Sequence, residues 1–356
     1  MILEEIQKKI EKSDLCALLM IDPTNLKYVT GLTLSSAALI ITSSSAHLFV
    51  DERYVLMARK LEIDLQIHSG TKSEIKSAME PVLKEIQGDI GFDGNQISYE
   101  YHKKLLQRVP SITLVSSPSF FSQLRRQKNS EEIFKIERAC QICENGLMHL
   151  LSCLEPGVTE KELEQEIKLF WLTHGADNTA FPMIIAFGPN SACPHWTCSD
   201  TPLKKDTIVL IDIGVEKDGY NSDMTRIIFY GDVDDELRAC FSHVEEAFHR
   251  AVKEAIPGAL PYELDKSARE YLDSCGRGAF SHGLGHGVGM QVHEPPRLSP
   301  ESINEDALQI GDVITIEPGL YIEGKGGVRL EDTFAIEAEG ARSLCSLPAK
   351  LIEIPV

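Results

Sequence analysis

The sequence predicts an α+β protein in two domains, a smaller α/β domain at the amino terminus followed by a larger α+β domain. Three observations carry that expectation. The chain has 356 residues, and single cores stop growing at roughly 250–300 residues. Its first third alternates short apolar runs with helical ones, whereas strands dominate from Phe181 onward. A polar, basic stretch, SQLRRQKNS, lies between the two regimes and puts a boundary within 118–129, so the expected domains are 1–124 and 125–356.

In the first domain CALLMID (16–22) reads as a buried strand, and SAALIITSSSAHLFVD (36–51) as two strands around a Ser-rich turn. ERYVLMARKLE reads as a helix, DLQIHSG as a strand and KSEIKSAMEPVLKEIQ as a helix. GDIGFDG, YEYHKKLLQRV and ITLVSS continue as strand, helix and strand. No nucleotide fingerprint occurs among them. The second domain opens on a long helix. Asn129 and Glu132 have capping-box spacing, and Ile133, Ile136, Cys140, Cys143 and Leu147 recur at helical spacing before Pro156-Gly157. Thr159 and Glu162 repeat the capping pattern for a helix reaching His174, and helices near 234–255 and 262–275 interrupt the later strands.

With 54 acids against 35 bases, the formal net charge is -19. Such a chain repels phosphate backbones, which excludes a nucleic-acid role. The nine cysteines are odd in number and scattered, as expected of reduced thiols rather than a disulfide framework. Cys140 and Cys143 have CxxC spacing, but they sit in an amphipathic helical run with no second pair nearby. The opening MILEEIQKKIEKSD is charged and amphipathic, unlike a signal peptide. No window approaches the roughly 18 apolar residues of a membrane span. A cytoplasmic protein with no membrane partner is expected.

Four acids stand where acids are costly. TIVLIDIGV (207–215) is an apolar strand with Asp212 in it, and a buried unpaired carboxylate costs several kcal/mol. Asp218-Gly219 signals a hairpin, and the return strand carries Asp223. Centred between Lys217 and Asp218, the hairpin would set Asp212 directly opposite Asp223, with Cβ atoms about 4.5–5.5 Å apart. Near the carboxyl terminus VITIEPGLYI carries Glu317 and GVRLEDTFAI carries Glu331; a turn centred on Gly324 sets these two opposite each other. A bulge would shift either register, and any one acid could instead be an edge residue or half of a salt bridge. Two such pairs together point to cations between them. Oxygen ligands suit Mn, Mg or Ca, and an added imidazole shifts the preference toward Mn, Co, Fe or Zn. Four carboxylates balance two divalent ions, the stoichiometry of a two-metal hydrolase.

Three of the 11 histidines crowd into FSHGLGHGVGMQVHEPPR, as His282, His286 and His293. Glycines at 283, 285, 287 and 289 argue against a helix there and for extended backbone that a neighbour can approach closely. His195 stands in the loop GPNSACPHW, where its position alone assigns no role. Arg329 lies two residues before Glu331 and shares its strand face.

Taken in order, GPNSACPH, DIGVEKDGYNSDMTR, HGLGHGVGMQVHE, TIEPGLY and GVRLED resemble the pita-bread metallopeptidases, the family of aminopeptidase P, prolidase and methionine aminopeptidase. The resemblance covers about residues 125–356. NLKYVTG and LFVDERY give the first third a looser likeness to the creatinase-type amino domain of aminopeptidase P and prolidase. The resemblance implies a pita-bread fold with Asp212, Asp223, His286, Glu317 and Glu331 holding two divalent metal ions. Asp223 and Glu331 would bridge them; Mn is preferred, with Co, Zn or Fe also fitting. It implies that Glu317 moves the proton, that His293 stabilises the oxyanion or donates to the leaving nitrogen, and that His195 holds the substrate carbonyl or its proline side. His282 would line the cleft and Arg329 would orient a ligand carboxylate. Arg297, in HEPPR, resembles the arginine that prolidases place near the substrate carboxyl terminus.

The activity implied is hydrolysis of the Xaa-Pro bond at peptide N-termini, as by an Xaa-Pro aminopeptidase acting on peptides with proline in second position. Xaa-Pro dipeptidase is the alternative. Methionine aminopeptidase and a non-enzymatic binding protein on the same fold stand behind it. Intact ligands argue against a creatinase activity. A homodimer is expected.

Overall fold

The computed structural model describes residues 2–276 and 280–356. Contacts divide the chain into Met1–Arg125 and Arg126–Val356.

In the first unit, Ala17–Met20 forms the fully buried centre of a six-stranded mixed sheet. It pairs antiparallel with Ala37–Thr42 and parallel with Asp89–Phe92. Alternate residues serve two cores. Leu18, Met20, Leu39 and Ile41 pack with the helices Ile2–Glu11 and Pro23–Thr30, while Leu19, Ile40 and Phe49 pack with Lys72–Glu85. Two helices here escaped the sequence reading. Pro23–Thr30 is short, and it is started by Asp22, whose side chain accepts from Asn25 N. Pro118–Arg126 runs into the stretch expected to be a linker and buries Phe121 and Leu124. ERYVLMARKLE, conversely, is not one helix. It is a 3-10 turn, Glu52–Tyr54, followed by the four-residue helix Val55–Ala58. Leu56 and Met57 are exposed, so the run has no apolar face whose burial would extend it.

The second unit has the mixed α+β organisation predicted. Its four-stranded sheet runs in the order Ile352–Ile354, Met224–Tyr230, Thr207–Ile213, Ile184–Phe187. Ile208 and Leu210 face the helices Asp235–Glu254 and Pro261–Ser274, while Val209, Ile211 and Ile213 face Ser130–Ser152 and Glu160–Thr173. Burial on both faces explains the nearly unbroken apolar run of TIVLIDIGV. Asn129 and Thr159 form the capping boxes read from their spacing. Cys140 and Cys143 are buried packing residues, and all nine cysteines are free thiols. Among the described residues no helix is long and apolar enough to cross a membrane.

A second sheet of five strands follows the order Glu294–Leu298, Gly285–Gly287, Val313–Ile316, Asp332–Glu337, Gly340–Ser343. Its central hairpin has the register expected about Gly324. Ile316 pairs with Asp332 and Gly319 with Arg329, which sets Glu317 opposite Glu331. The first hairpin corrects the sequence reading. Lys217 pairs with Tyr220 and Thr225 with Asp212, so Asp212 faces Thr225 rather than Asp223. Asp218 and Gly219 have φ of 51° and 82°. They are the two central residues of the turn, which a primed turn requires, and the hairpin is centred between them. The slip is even, so Asp223 stays on the face of Asp212 as its diagonal neighbour.

The two hairpins are stitched together. Glu331 N donates to Thr225 O at 3.3 Å, forming an isolated antiparallel bridge. Arg226 locks the join, donating to Glu331 O and Asp332 Oδ1, each at 2.7 Å. Its side chain is 1% exposed and that of Asp332 5%. Replacing one member of such a pair strands a buried charge and costs about 3–5 kcal/mol. Arg226→Met is therefore expected to lower the unfolding free energy by that order in urea titration, and Arg226→Met with Asp332→Leu to recover much of the loss. Equal losses in the single and double variants would contradict this account of the join.

Candidate metal centre

All ten residues singled out in the sequence line one cavity of about 700 Å³ in the second unit: His195, Asp212, Asp223, His282, His286, His293, Arg297, Glu317, Arg329 and Glu331. Each arrives on a different piece of backbone logic. Asp212 and Asp223 share a face of the first hairpin, near its turn. Glu317 and Glu331 sit where the second hairpin passes from the five-stranded sheet into the ribbon Gly319–Ile322 and Gly326–Arg329. His286 is in the short strand Gly285–Gly287, squeezed between two others. A Cβ on Gly285 would lie 2.1 Å from Thr315 O, and one on Gly287 2.3 Å from Pro295 O. Only glycine on either side lets the imidazole strand fit. Asp265 and Arg269 fix the preceding segment: Asp265 Oδ1 accepts from Leu284 N at 2.9 Å, and Arg269 donates to the carbonyls of Phe280 and His282.

The donor atoms converge. Asp223, His286 and Glu331 each bring one ligand atom within 4.8 Å of the others. His286 Nε2 is 3.4 Å from Glu317 Oε1 and 3.7 Å from Asp223 Oδ2. Atoms sharing a cation at bonds of about 2.0–2.2 Å sit at comparable separations. Asp212 Oδ1 is buried with no hydrogen-bond partner, while its Oδ2 accepts from Arg329 Nη2. One oxygen is thus steered and the other left free, an arrangement that suits a ligand. Thr225 Oγ1 donates to Glu331 Oε2 at 2.6 Å. Arg329 is buried, and besides Asp212 it reaches Thr225 Oγ1 at 3.2 Å and Tyr321 Oη at 2.9 Å. Arg329 meets Asp212 through Nη2 alone, so it steers the carboxylate by a single bond rather than a parallel pair.

Burial and mutual repulsion push the carboxyl groups up. Burial raises Glu317 to about 8, with Arg329 opposing and Asp212 reinforcing the rise. Asp223 is held well above the usual carboxylate range by burial and by Asp212 and Glu317, and Glu331 by burial and by Asp223. Burial lowers His286 to about 3, helped by His293, and His282 to about 4, helped by Arg329. The imidazoles are therefore neutral at pH 7, the form that binds metal. His282 Nε2 meets Tyr321 Oη at 2.8 Å. His293 and Arg297 are exposed on the cavity side; Arg297 pairs in register with His286, and the His293 ring lies edge-on to His286 at 4.3 Å between centroids.

Sequence reasoning missed Tyr321, Thr225, Trp196 and Phe181. Tyr321 and Trp196 stood inside quoted motifs, TIEPGLY and GPNSACPHW, but nothing in their spacing marked them. Thr225 became visible only once the true register put it opposite Asp212.

Comparison with known proteins agrees with this geometry. The profile described as metallopeptidase family M24 matches residues 135–338, and that of the Creatinase/Prolidase N-terminal domain matches 2–127. The Xaa-Pro dipeptidase of Pyrococcus furiosus is 34% identical over 352 residues, covering 98% of this chain and 99% of that one. Among solved structures, an Xaa-Pro dipeptidase from Bacillus anthracis superposes with a TM-score of 0.93 at 30% identity, covering 99% of both chains. An X-Pro aminopeptidase from Thermotoga maritima gives 0.89 at 28% identity, covering 97% of this chain and 100% of that one. Fold and site together define a metal-dependent exopeptidase with a pita-bread catalytic domain behind a creatinase-type amino domain. The chain belongs to metallopeptidase family M24. Membership in that family implies divalent metal ions, and the cluster of buried acids with one neutral imidazole fits them.

The raised carboxyl groups make stability depend on pH. Glu317 keeps its proton in the folded, metal-free protein up to about 8, whereas the unfolded chain releases it near 4.5. The folded state then binds more protons, so stability falls as pH rises. The lowered histidines act in the opposite sense but only below their unfolded value of 6.5. The carboxyl effect is therefore isolated between pH 6.5 and 8. In chelator, the melting temperature should fall across that window; saturating Mn should abolish the fall. Calorimetric titration with Mn at pH 7 should release about one proton or more per chain. A chelated protein whose melting temperature is flat from pH 6.5 to 8 would contradict the protonated cluster.

Proposed function

We propose that this chain is an Xaa-Pro dipeptidase, with Asp212, Asp223, His286, Glu317 and Glu331 as ligands of two divalent ions. The observation that carries the dipeptidase reading is Arg297, an exposed cation in the same cavity as the carboxylate cluster, in register with His286. A guanidinium there can pair with the free carboxylate of a dipeptide. Full-length relatives bearing that name support the reading. It replaces the aminopeptidase expected from the sequence, which the resemblance to the Thermotoga maritima enzyme keeps as the second reading.

Bound ions would supply Lewis acidity to the scissile carbonyl and an acidified water. The chain's own groups would do the rest. Arg329 and Thr225 hold Asp212 and Glu331 in place. Glu317, 3.9 Å from His282 Nδ1, takes the proton of the attacking water. It then returns that proton to the proline nitrogen, which carries no hydrogen in the amide and must be protonated to leave as a secondary amine. His293, whose pKa is lowered by burial and then by Arg297, donates to the developing oxyanion. His195 holds the substrate from its own wall of the cavity. Phe181, Pro182, Ile184 and Trp196 give that wall an apolar surface suited to a pyrrolidine ring. Mn is the preferred metal, with Co, Zn and Fe compatible, and a homodimer is the expected assembly.

Kinetics decide between the two readings. Xaa-Pro should be hydrolysed and Xaa-Pro-Yaa much more slowly; chelation should abolish turnover and Mn, Co or Zn restore it. Hydrogen bonds to a charged group contribute about 1.5–3 kcal/mol, so Arg297→Met should raise KM for Xaa-Pro by about 10- to 100-fold. Efficient cleavage of Xaa-Pro-Yaa, unaffected by Arg297→Met, would establish the aminopeptidase instead.

A further inference from the structure

Glu160 is the first residue of the helix Glu160–Thr173, and it is completely buried. A carboxylate at a helix start needs no explanation beyond the dipole, but this one points away from its own helix and collects five donors. Oε1 accepts from Phe187 N and Asn190 Nδ2, both at 2.8 Å. Oε2 accepts from the Trp196 indole Nε1 and Ser199 N, both at 2.9 Å, and from Ser199 Oγ at 2.7 Å. The capping of the helix is done by its neighbour Thr159, whose Oγ1 accepts from Glu162 N. Glu160 is therefore not needed as a cap.

All five donors belong to one segment, 187–199, which carries His195 and Trp196 into the cavity. The segment has a short 3-10 turn, Gly188–Ala192, and then no regular structure through Ser199. Past Ala192 its own backbone bonds are the turns Cys193 N to Asn190 O and Trp196 N to Cys193 O, so much of its shape must come from elsewhere. The carboxylate ties its beginning (Phe187, Asn190), its middle (Trp196) and its end (Ser199) to a single point. Thr201 Oγ1 closes the ring, accepting from Asn190 Nδ2 at 3.1 Å and lying 2.7 Å from Ser199 Oγ. Ser191 Oγ fastens the same segment to the second hairpin by accepting from Gly327 N at 2.8 Å.

We infer that Glu160 is the positioning residue of the substrate wall: its carboxylate fixes where His195 and Trp196 stand in the cavity, without touching substrate or metal. Its removal should loosen the wall while leaving the metal ligands in place. The inference rests on the reading of that wall as the substrate-binding side, and it yields a signal independent of activity. The chain has two tryptophans, and Trp171 is 1% exposed, so acrylamide quenching of fluorescence reports chiefly on Trp196.

Glu160→Gln keeps the shape but turns an amide NH₂ toward donors, so at least two of the five bonds are lost. The expected result is a KM for Xaa-Pro raised at least tenfold, a smaller change in kcat, unchanged Mn content and stronger acrylamide quenching. Thr159→Ala, which weakens the same helix end without touching the segment, should change KM and quenching less than twofold. Were Glu160→Gln not to fold, Ser199→Ala, which removes one of the five donors to Glu160 together with the bonds of Ser199 Oγ to Thr201, should still raise KM and quenching about threefold. Wild-type KM and quenching in Glu160→Gln, or a KM that tracks lost thermal stability equally in Glu160→Gln and Thr159→Ala, would overturn the assignment. If the wild type fails to cleave Xaa-Pro at all, the proposed substrate falls, and the quenching comparison alone still decides whether Glu160 holds the segment.

Discussion

Crowded, buried carboxyl groups are the constraint on which this structure turns. Asp212, Asp223, Glu317 and Glu331 are brought into one low-dielectric place by two hairpins joined at Thr225 and Glu331. Arg329 is the cation in direct contact with Asp212, and one guanidinium cannot balance four acids. The remaining charge is met by protons in the metal-free protein, and divalent ions displace them. A site of this kind is expensive to build. It is tolerated because the sheets that carry it are among the most completely buried parts of the chain, with two helices on each face of the four-stranded sheet.

Around that cluster the labour is divided. Thr225, Tyr321 and Arg329 hold Glu331, Asp212 and His282 in place. The proposed substrate wall is a separate object, a largely irregular segment held by the buried Glu160 and hung on the second hairpin through Ser191. On the proposed assignment, reaction chemistry and substrate preference would vary separately, since the acid cluster sits at the ends of paired strands and the wall on a loop.

The framework does not choose between neighbouring activities. A dipeptidase and an aminopeptidase superpose on this chain almost equally well, at TM-scores of 0.93 and 0.89. Fold similarity is silent on a difference that lies in how the far end of the peptide is received. In the proposed reading the discriminating feature is a single side chain lining the cavity, Arg297, whose charge would favour a substrate that ends in a carboxylate two residues from its start.

Much was written in the sequence. Apolar strands interrupted by acids, glycines alternating with histidines, and capping pairs at Asn129 and Thr159 are local patterns with local physical causes, and they were legible for that reason. So was the register about Gly324, the middle of the three unpaired turn residues between Ile322 and Gly326. The register of the first hairpin was misread by one turn position, since only the backbone shows that Asp218 as well as Gly219 adopts positive φ. The helices Pro23–Thr30 and Pro118–Arg126 were missed because each is short and depends on packing against a sheet more than on its own periodicity. What the tertiary structure alone decided was convergence. Glu160 and Trp196 lie 36 residues apart, and Thr225 and Glu331 lie 106 apart. No local pattern encodes such meetings, because they are fixed by how the sheets stack and where their strands end.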